Sequence, residues 1–457
     1  MWLRFRGGVQ PLPMSAFDQQ TAEQGYQVEA LAKKFLKRKV ETEYPAGTTI
    51  SFEATQTDGN YESRIDALVH DNQHNTYDLY EIKSSTAVHS HHKYDVTFQY
   101  LVAKASLPVN KVFMVHVNGE YRRQGELDLQ QLFTVVDMKY HIDKKIDEVY
   151  QLRSEAWNVL NLPEMPLEAH CVKPKTCSFP SICFPDLPQY SIYDLSRATE
   201  KQLRDLSDLN ITLLRDIPEG FTTNFKQKLQ IQTTRTQQSI IDTAAITHEL
   251  ERLEFPLYFL DYETFGPALP MYDNYAPYQM ITNQFSIHVV RHPEDQPEQF
   301  EHYEYIATQP TDPSTEIATQ LCEVIGETGT IIVWNKGFEC GRNTELGILC
   351  PQFADQLQSI NDRTYDLMEI FSNGFYADHR FLGSASIKKV LPVLCPELSY
   401  KELEIGDGTT AMTKWYEMVH GNLSDTEKAK IKADLLKYCK LDTWAMIAIW
   451  QKVKGLS

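Results

Sequence analysis

Apolar residues along this chain fall either into short blocks of strand length or into longer stretches where they recur at helical spacing. Leu257-Tyr258-Phe259-Leu260 is a continuous apolar run, and it delivers two acids, Asp261 and Glu263, at its end. Ile331-Ile332-Val333-Trp334 repeats the pattern, and a short run around Tyr365-Asp366-Leu367 ends on another acid. Near the start, residues 64–69 alternate around Asp66 and, after a polar turn over 71–75, residues 77–83 alternate again. That pattern predicts a β-hairpin. Helices are predicted from residue 94 onward, over 387–391 (with a Ser cap and ended by Pro392) and over 431–450. Between about 190 and 250 the texture turns polar and helix-favouring, with short helices over 203–212 and 213–218.

The spacing of charged groups on these elements suggests chemistry. Side chains two apart on a strand share a face, so Asp261 and Glu263 can hold one divalent cation between them; they can equally be two solvated acids. Tyr438 and Asp442 are four apart on the last helix and lie one turn from each other. The hairpin brings Asp66, Glu81 and Lys83 within reach, with Glu81 and Lys83 on one face and Ile82 on the other. Two acids can bind Mg²⁺ and orient a water, and a lysine can steady that water or the charge developing on phosphorus. Asp366, alone at its strand end, fits a helix cap better than a supporting role at a metal.

A chain of 457 residues exceeds one ordinary core and predicts two or three domains. Its composition, 42% hydrophobic and 23% charged, is that of a soluble globular protein. No apolar run approaches the ~20 residues of a membrane helix, and the start has no apolar run behind its charges; no membrane partner and a cytoplasmic location are expected. The net charge of −18 argues against a broadly basic nucleic-acid coat. It leaves room for a nuclease, whose carboxylates are neutralised by metal. The basic run from Lys33 to Lys39 is either a solvated helix face or a phosphate contact. Cys171, Cys177 and Cys183 cluster, which in a cytoplasmic chain points to a metal or a cluster rather than disulfides. The other five cysteines are dispersed and read as small core residues. His89, His91 and His92 are expected in a solvated loop, with no Cys or acid spaced to complete a zinc site.

An Asp-x-Glu strand followed far downstream by a Tyr one turn before an Asp resembles the Tyr-bearing branch of the DEDD exonucleases. Those have an RNase-H-like fold and hydrolyse phosphodiesters with two metal ions. Asn335-Lys336-Gly337-Phe338-Glu339 is similar to that family's middle motif, with Glu339 where Asp is usual. The resemblance implies Asp261, Glu263, Glu339 and Asp442 as ligands of Mg²⁺ or Mn²⁺, Tyr438 as the group orienting the attacking water, Lys388 near the substrate, and removal of nucleotides from 3′ to 5′. Asp66 followed by Glu81-Ile82-Lys83 resembles the PD-(D/E)XK nucleases. Gln99 looks like the Gln of their RecB-type branch, implying a nucleic-acid-binding position. Glu29 stands where that branch often has a metal-ligating His.

The clustered cysteines resemble the late three of CRISPR-associated RecB-type nucleases, which bind a [4Fe-4S] cluster together with one early cysteine. No cysteine precedes Cys171. Either an N-terminal piece is missing, or the cluster is lost and the cysteines are a zinc remnant or packing. Over nearly its full length the chain resembles an uncharacterised bacterial family that fuses the two nuclease types. The expected fold is α/β. A PD-(D/E)XK restriction-endonuclease-like domain would occupy 1–189 and a helical connector 190–250. A DEDD-type RNase-H-like domain would occupy 251–457. The expected activity is that of a metal-dependent nuclease, a DNA 3′–5′ exonuclease with a second PD-(D/E)XK centre. Nucleic acid is the expected partner, DNA favoured over RNA. The rivals are a nucleic-acid-binding scaffold with one or both centres inactive, and a phosphohydrolase of nucleotides.

Overall fold

The hairpin predicted around residues 64–83 forms the middle of a five-stranded sheet. In the computed structural model, which describes residues 2–10, 13–165 and 179–456, the chain divides into two compact units. Unit 1 comprises Met1–Pro166 and Gly266–Gln279; unit 2 comprises Leu167–Phe265 and Met280–Ser457. The division is not sequential, unlike the expected one. Residues 190–250, read as a separate connector, group with unit 2.

Unit 1 runs α1 (Ala16–Glu43), β1 (Thr49–Asp58), β2 (Tyr61–Asp71), β3 (Thr76–Lys83), α2 (Ser90–Ala103), β4 (Val109–Val117), β5 (Phe133–Asp137) and α3 (Lys139–Leu160). Strand order is β1-β2-β3-β4-β5; every pair is antiparallel except β3–β4, which α2 connects as a parallel crossover. The polar turn closes the hairpin as its residues dictate: Asp71 Oδ1 accepts from the Gln73 N–H at 2.9 Å and Asn75 takes a left-handed φ of 51°. Strand alternation then sorts β3. Tyr80 and Ile82 pack with Val28, Ala32 and Leu36 of α1, while Leu79 packs on the opposite face with Val96 of α2. Glu81 and Lys83 share Leu79's parity and therefore the α2 side. The stretch Gly266–Gln279 is tied in by Ala268, which joins the α1-side core and donates its N–H to Gln24 Oε1 at 2.8 Å.

The histidine triplet is not in a loop. His89 is the N-cap of α2, and His91 and His92 occupy its first turn. The His92 ring makes that possible, because its Nδ1 accepts the His89 N–H at 3.1 Å and satisfies the donor at the helix entrance.

Unit 2 begins with α4 (Glu200–Asp208) and α5 (Phe225–Thr236), each opened by a capping box, around a small core that includes Leu206, Leu214 and Ile231. Its main sheet holds β6 (Leu257–Phe265), β7 (Ile281–Val290), β8 (Glu301–Ile306), β9 (Thr330–Val333) and β10 (Thr364–Asp366), in the order β10-β9-β6-β7-β8. β6 is central, antiparallel to β7 on one side and parallel to β9 on the other; β8 is antiparallel to β7 and β10 parallel to β9. The helices that position the site are α6 (Ser314–Val324), α7 (Lys336–Leu349), α8 (Ile387–Leu394), α9 (Gly408–His420) and α10 (Asp425–Lys454). Tyr258, Leu260 and Tyr262 point into a core with Ile317 and Leu321 of α6 and Leu346 of α7. Phe259 points the other way, its ring centroid 5.8 Å from that of Trp450 on α10. Asp261 and Glu263 share Phe259's parity and so face α10. Helix α8 continues past Pro392 to Leu394. Pro392 loses its own N–H from the ladder and its ring crowds the carbonyl one turn back, but the Cys395 N–H bonded to the Leu391 carbonyl at 2.8 Å closes the last turn.

Candidate functional site

In unit 2, β6 carries Asp261 and Glu263 to its C-terminal half and α10 brings Asp442 against them. One ligand atom from each lies within 4.8 Å of the others. The rotation of α10 is fixed by the residue beside Asp442. The Thr443 hydroxyl bonds to Ser286 Oγ at 2.9 Å and to His288 Nδ1 at 2.8 Å, both from β7. Gln284 of the same strand donates to the Leu435 carbonyl at 2.9 Å.

Glu339 enters from the first turn of α7. It is 3% exposed, and its Oε2 is a buried oxygen with no hydrogen-bond partner. The start of α7 is held by Asp366, which accepts the Asn335 and Lys336 N–H groups at 3.2 and 2.9 Å. Asn335 sits there at φ 105°, a left-handed conformation that costs energy and is fixed by this cap.

Two tyrosines and a lysine complete the cluster. The Tyr400 hydroxyl donates to Asp442 Oδ1 at 2.6 Å, and Tyr438 stands beside Asp442 from one turn earlier on α10. The Lys388 ammonium of α8 lies 5.4 Å from the centre of the Tyr438 ring and 5.7 Å from that of Tyr400. Cys439 Sγ approaches Asp261 Oδ2 at 3.5 Å.

Burial first, and then mutual repulsion, pushes the Asp261, Glu263 and Glu339 carboxyls well above the usual carboxylate range. Asp442 is pushed up only to about 6, because Tyr400, Lys388 and Tyr438 offset its burial. Burial and the surrounding acids drive the Tyr438 and Tyr400 hydroxyls upward, so both stay protonated. The four acids face Lys388 and, on the Glu339 side, Arg342, and Asp261, Glu263 and Asp442 can hold a hard metal ion.

In unit 1 the β2–β3 ladder ends at Ala67 and Tyr80. Beyond that point the Asp66 carboxylate accepts the Ile82 N–H at 2.7 Å, a donor the ladder no longer serves. Glu81 is gripped on both oxygens, by Lys83 Nζ on Oε1 at 2.6 Å and by Gln99 Nε2 on Oε2 at 2.7 Å. Lys83 also bonds Asp95 Oδ2 at 2.6 Å. Burial, then Asp66, raises Glu81 to about 8 despite the lysine. Burial pulls the Lys83 ammonium down, but Glu81 and Asp95 more than reverse it. Glu29 is close enough to act on the charge of Asp66, and is itself paired with Lys33 at 2.7 Å.

The structure therefore brings Asp66, Glu81, Lys83 and Gln99 together in unit 1, and Asp261, Glu263, Glu339, Asp442, Tyr438 and Lys388 together in unit 2. Gln99 is buried against Glu81. Among the described residues, no acidic or histidine set of unit 1 converges as the unit 2 triad does. Cys171 and Cys177 lie outside the described residues; Cys183 ends a short helical turn, Pro180–Cys183, and is half-buried. Sequence reasoning missed Asp95 and Tyr400. Asp95 had a signal, since it stands four before Gln99 on a predicted helix. Tyr400 had none, lying in an irregular stretch far from Asp442. Of the basic run, Lys33 is spent on Glu29 and Glu53 and Lys39 on Glu43.

Residues 258–386 match a family described as Domain of unknown function (DUF2779), a span that includes Asp261, Glu263 and Glu339 and stops before Lys388 and Asp442. The chain is similar to the uncharacterized protein MG366 of Mycoplasma genitalium, 25% identical over 206 residues, covering 42% of this chain and 31% of that protein. It is also similar to the MG366 homolog of Mycoplasma pneumoniae, 26% identical over 44% of this chain and 32% of the relative. The uncharacterized protein UU173 of Ureaplasma parvum is 27% identical over 43% and 31%, respectively. The matched region thus spans about a third of the length of these relatives. The similarity is to proteins that are themselves uncharacterised.

Proposed function

We propose that this chain is a metal-dependent nuclease, with unit 2 a DEDD-type 3′–5′ exonuclease of RNase-H-like fold and unit 1 a PD-(D/E)XK module of the RecB type. The observation that carries the reading is the convergence of Asp261, Glu263 and Asp442 within 4.8 Å from a central strand and a C-terminal helix. The strand order β10-β9-β6-β7-β8, with the acids on the central strand, supports the unit 2 fold. In unit 1 the antiparallel β1–β3, the crossover helix and the parallel β4 support the other.

Two buried acids, Glu339 and Asp442, and two half-buried ones, Asp261 and Glu263, with an orphaned oxygen on Glu339, fit Mg²⁺ or Mn²⁺, hard cations that favour oxygen ligands. Held there, such an ion supplies Lewis-acid polarisation of the phosphoryl oxygens and an acidified water. Asp261, Glu263 and Asp442 would hold the metal, with Glu339 reaching in from α7. Tyr438, protonated in the metal-free site, would orient the attacking water with its hydroxyl. Tyr400 holds Asp442 in one rotamer. Lys388, ahead of the two rings, faces the phosphate backbone. In unit 1, Asp66 and Glu81 would hold metal and Lys83 would steady the water, and DNA is the substrate we favour.

A second reading of unit 1 is a binding module without turnover. The direct contacts of Lys83 with Glu81 and Asp95 favour it, since they neutralise the acids a metal would need. Single- and double-stranded DNA and RNA, labelled at either end and incubated with Mn²⁺, test both units. Stepwise loss from the 3′ end that disappears in Asp261→Ala supports the exonuclease. Activity lost in Lys83→Ala assigns chemistry to unit 1. A folded, metal-replete protein that degrades none of these substrates overturns the proposal.

A further inference from the structure

The Asp95 carboxylate that holds Lys83 also lines a cavity of about 1020 Å³ in unit 1. The walls are aromatic: Tyr61 at the start of β2, Tyr94 and Phe98 from α2, and Trp157 from α3. The Tyr61 ring meets Phe98 and Trp157 edge-on, with centroids 6.3 and 6.4 Å away. Arg153 lies over Tyr61, its guanidinium carbon 4.5 Å from the ring centre. One terminal nitrogen of Arg153 is bonded to Asp58 at 2.9 Å, but Nε is a buried donor with no partner. Trp157 is 36% exposed, and neither it nor Phe98 belongs to the hydrophobic clusters that join the helices of this unit to its sheet.

We propose that this cavity is a base-binding site, taking unstacked bases of a single-stranded nucleic acid whose backbone reaches Lys83 and Glu81. The inference rests on the nuclease reading of unit 1 and names the form of its substrate. Aromatic faces bind flat bases regardless of sequence, and a guanidinium stacked among them adds a cationic plane and an unspent N–H. A duplex keeps its base faces inside its own stack and exposes them only by unpairing. Glu62 and Asp95 line the same cavity and offset Arg6 and Arg153, so its aromatic walls rather than a net positive charge select what enters. The volume is at the top of the roughly 300–1,000 Å³ of small-ligand sites, room for more than one base. The continuity through Asp95 places the strand beside the acids.

The test is photocrosslinking of the full chain, in EDTA, to short 5-iodouracil-substituted strands of DNA and of RNA and to the corresponding DNA duplex, with the modified peptides identified by mass spectrometry. The expected result is crosslinks from single strands to Tyr61, Phe98 or Trp157, the DNA and RNA arms showing which sugar is accepted. Trp157→Ala lowers the yield at Tyr61 and Phe98 roughly five- to a hundredfold at subsaturating strand, and Trp157→Phe restores it. Crosslinks that fall only outside this cavity, an equal yield from duplex, no crosslinks, or a yield unmoved by Trp157→Ala each overturn the proposal. Crosslinking needs neither metal nor turnover, so a failure of Lys83→Ala to affect cleavage bears on the nuclease reading alone.

Discussion

The two acidic clusters face the same electrostatic problem and meet it differently. Unit 1 carries its own counter-ion: Lys83 touches both Glu81 and Asp95, Gln99 takes the second oxygen of Glu81, and a backbone N–H takes Asp66. Unit 2 crowds Asp261, Glu263, Glu339 and Asp442 together, and its nearest lysine stacks on tyrosine rings instead. A cluster balanced from within keeps its shape with no ligand, whereas an unbalanced one is stabilised when a cation arrives. Only the second arrangement converts metal binding into folding stability on a large scale.

The sharpest way to break this comparison is by activity. Asp261→Asn is expected to lower Mn²⁺-dependent 3′ trimming by about three orders of magnitude or more, the scale seen when a site's electrostatic stabilisation of the transition state is removed. Lys83→Ala leaves that trimming within about twofold. If both substitutions abolish the same product ladder, the units do not act as separate centres and the contrast fails.

Stability comes next, and there the two clusters should respond with opposite signs. Lys83→Met strips the cation from buried Glu81 and is expected to destabilise the metal-free protein by about 3 kcal/mol, measured by denaturant unfolding. Glu339→Gln removes a carboxyl that folding holds well above its unfolded range, and with it the cost of protonating that group, and is expected to stabilise it by about 1 kcal/mol. Adding Mn²⁺ should erase the gain from Glu339→Gln and leave the loss from Lys83→Met nearly intact.

A pH series sharpens the same point at smaller amplitude. Asp442 sits at about 6 in the fold against ~3.9 unfolded, so the native state binds its proton more tightly. Metal-free stability from this group is therefore greatest below the unfolded value, falls as pH rises through ~4 to ~6, and stays low above. Asp261, Glu263 and Glu339 are shifted the same way. Metal must displace those protons at low pH and relieves the repulsion at high pH. The Mn²⁺-induced rise in melting temperature should be several degrees larger near pH 8 than near pH 5, and Asp261→Asn should flatten the difference. A rise independent of pH would show that the metal binds elsewhere.

What was legible in the sequence followed the reach of each signal. Period-two alternation extends over a few residues, and it gave the hairpin around Asp66 and Glu81 and the shared face of Asp261 and Glu263. A four-residue spacing gave Tyr438 with Asp442 on one helix. Contacts closed over long separations had no such signature. Tyr400 reaches Asp442 across 42 residues from an irregular segment, and the stretch Gly266–Gln279 leaves the C-terminal half to join unit 1. Local charge left two readings of the run from Lys33 to Lys39, and the pairing of Lys33 with Glu29 and Glu53 and of Lys39 with Glu43 was not marked by either.

Tyr400 therefore offers the finest test, because its role was read from geometry alone. Its hydroxyl makes a 2.6 Å bond to Asp442 Oδ1, a bond to a carboxylate that, once charged, is stronger than a neutral one. Tyr400→Phe keeps the ring under Lys388 and removes only that donor. If Tyr400 positions Asp442, kcat for trimming should fall by about five- to tenfold, the worth of a single hydrogen bond, with KM for the strand nearly unchanged. The apparent Mn²⁺ affinity should change as well, because a carboxylate freed to rotate presents its ligand oxygen less often. If instead KM rises alone, Tyr400 contacts the strand, and the unit 2 centre is organised by Tyr438 and the Thr443 clamp without it.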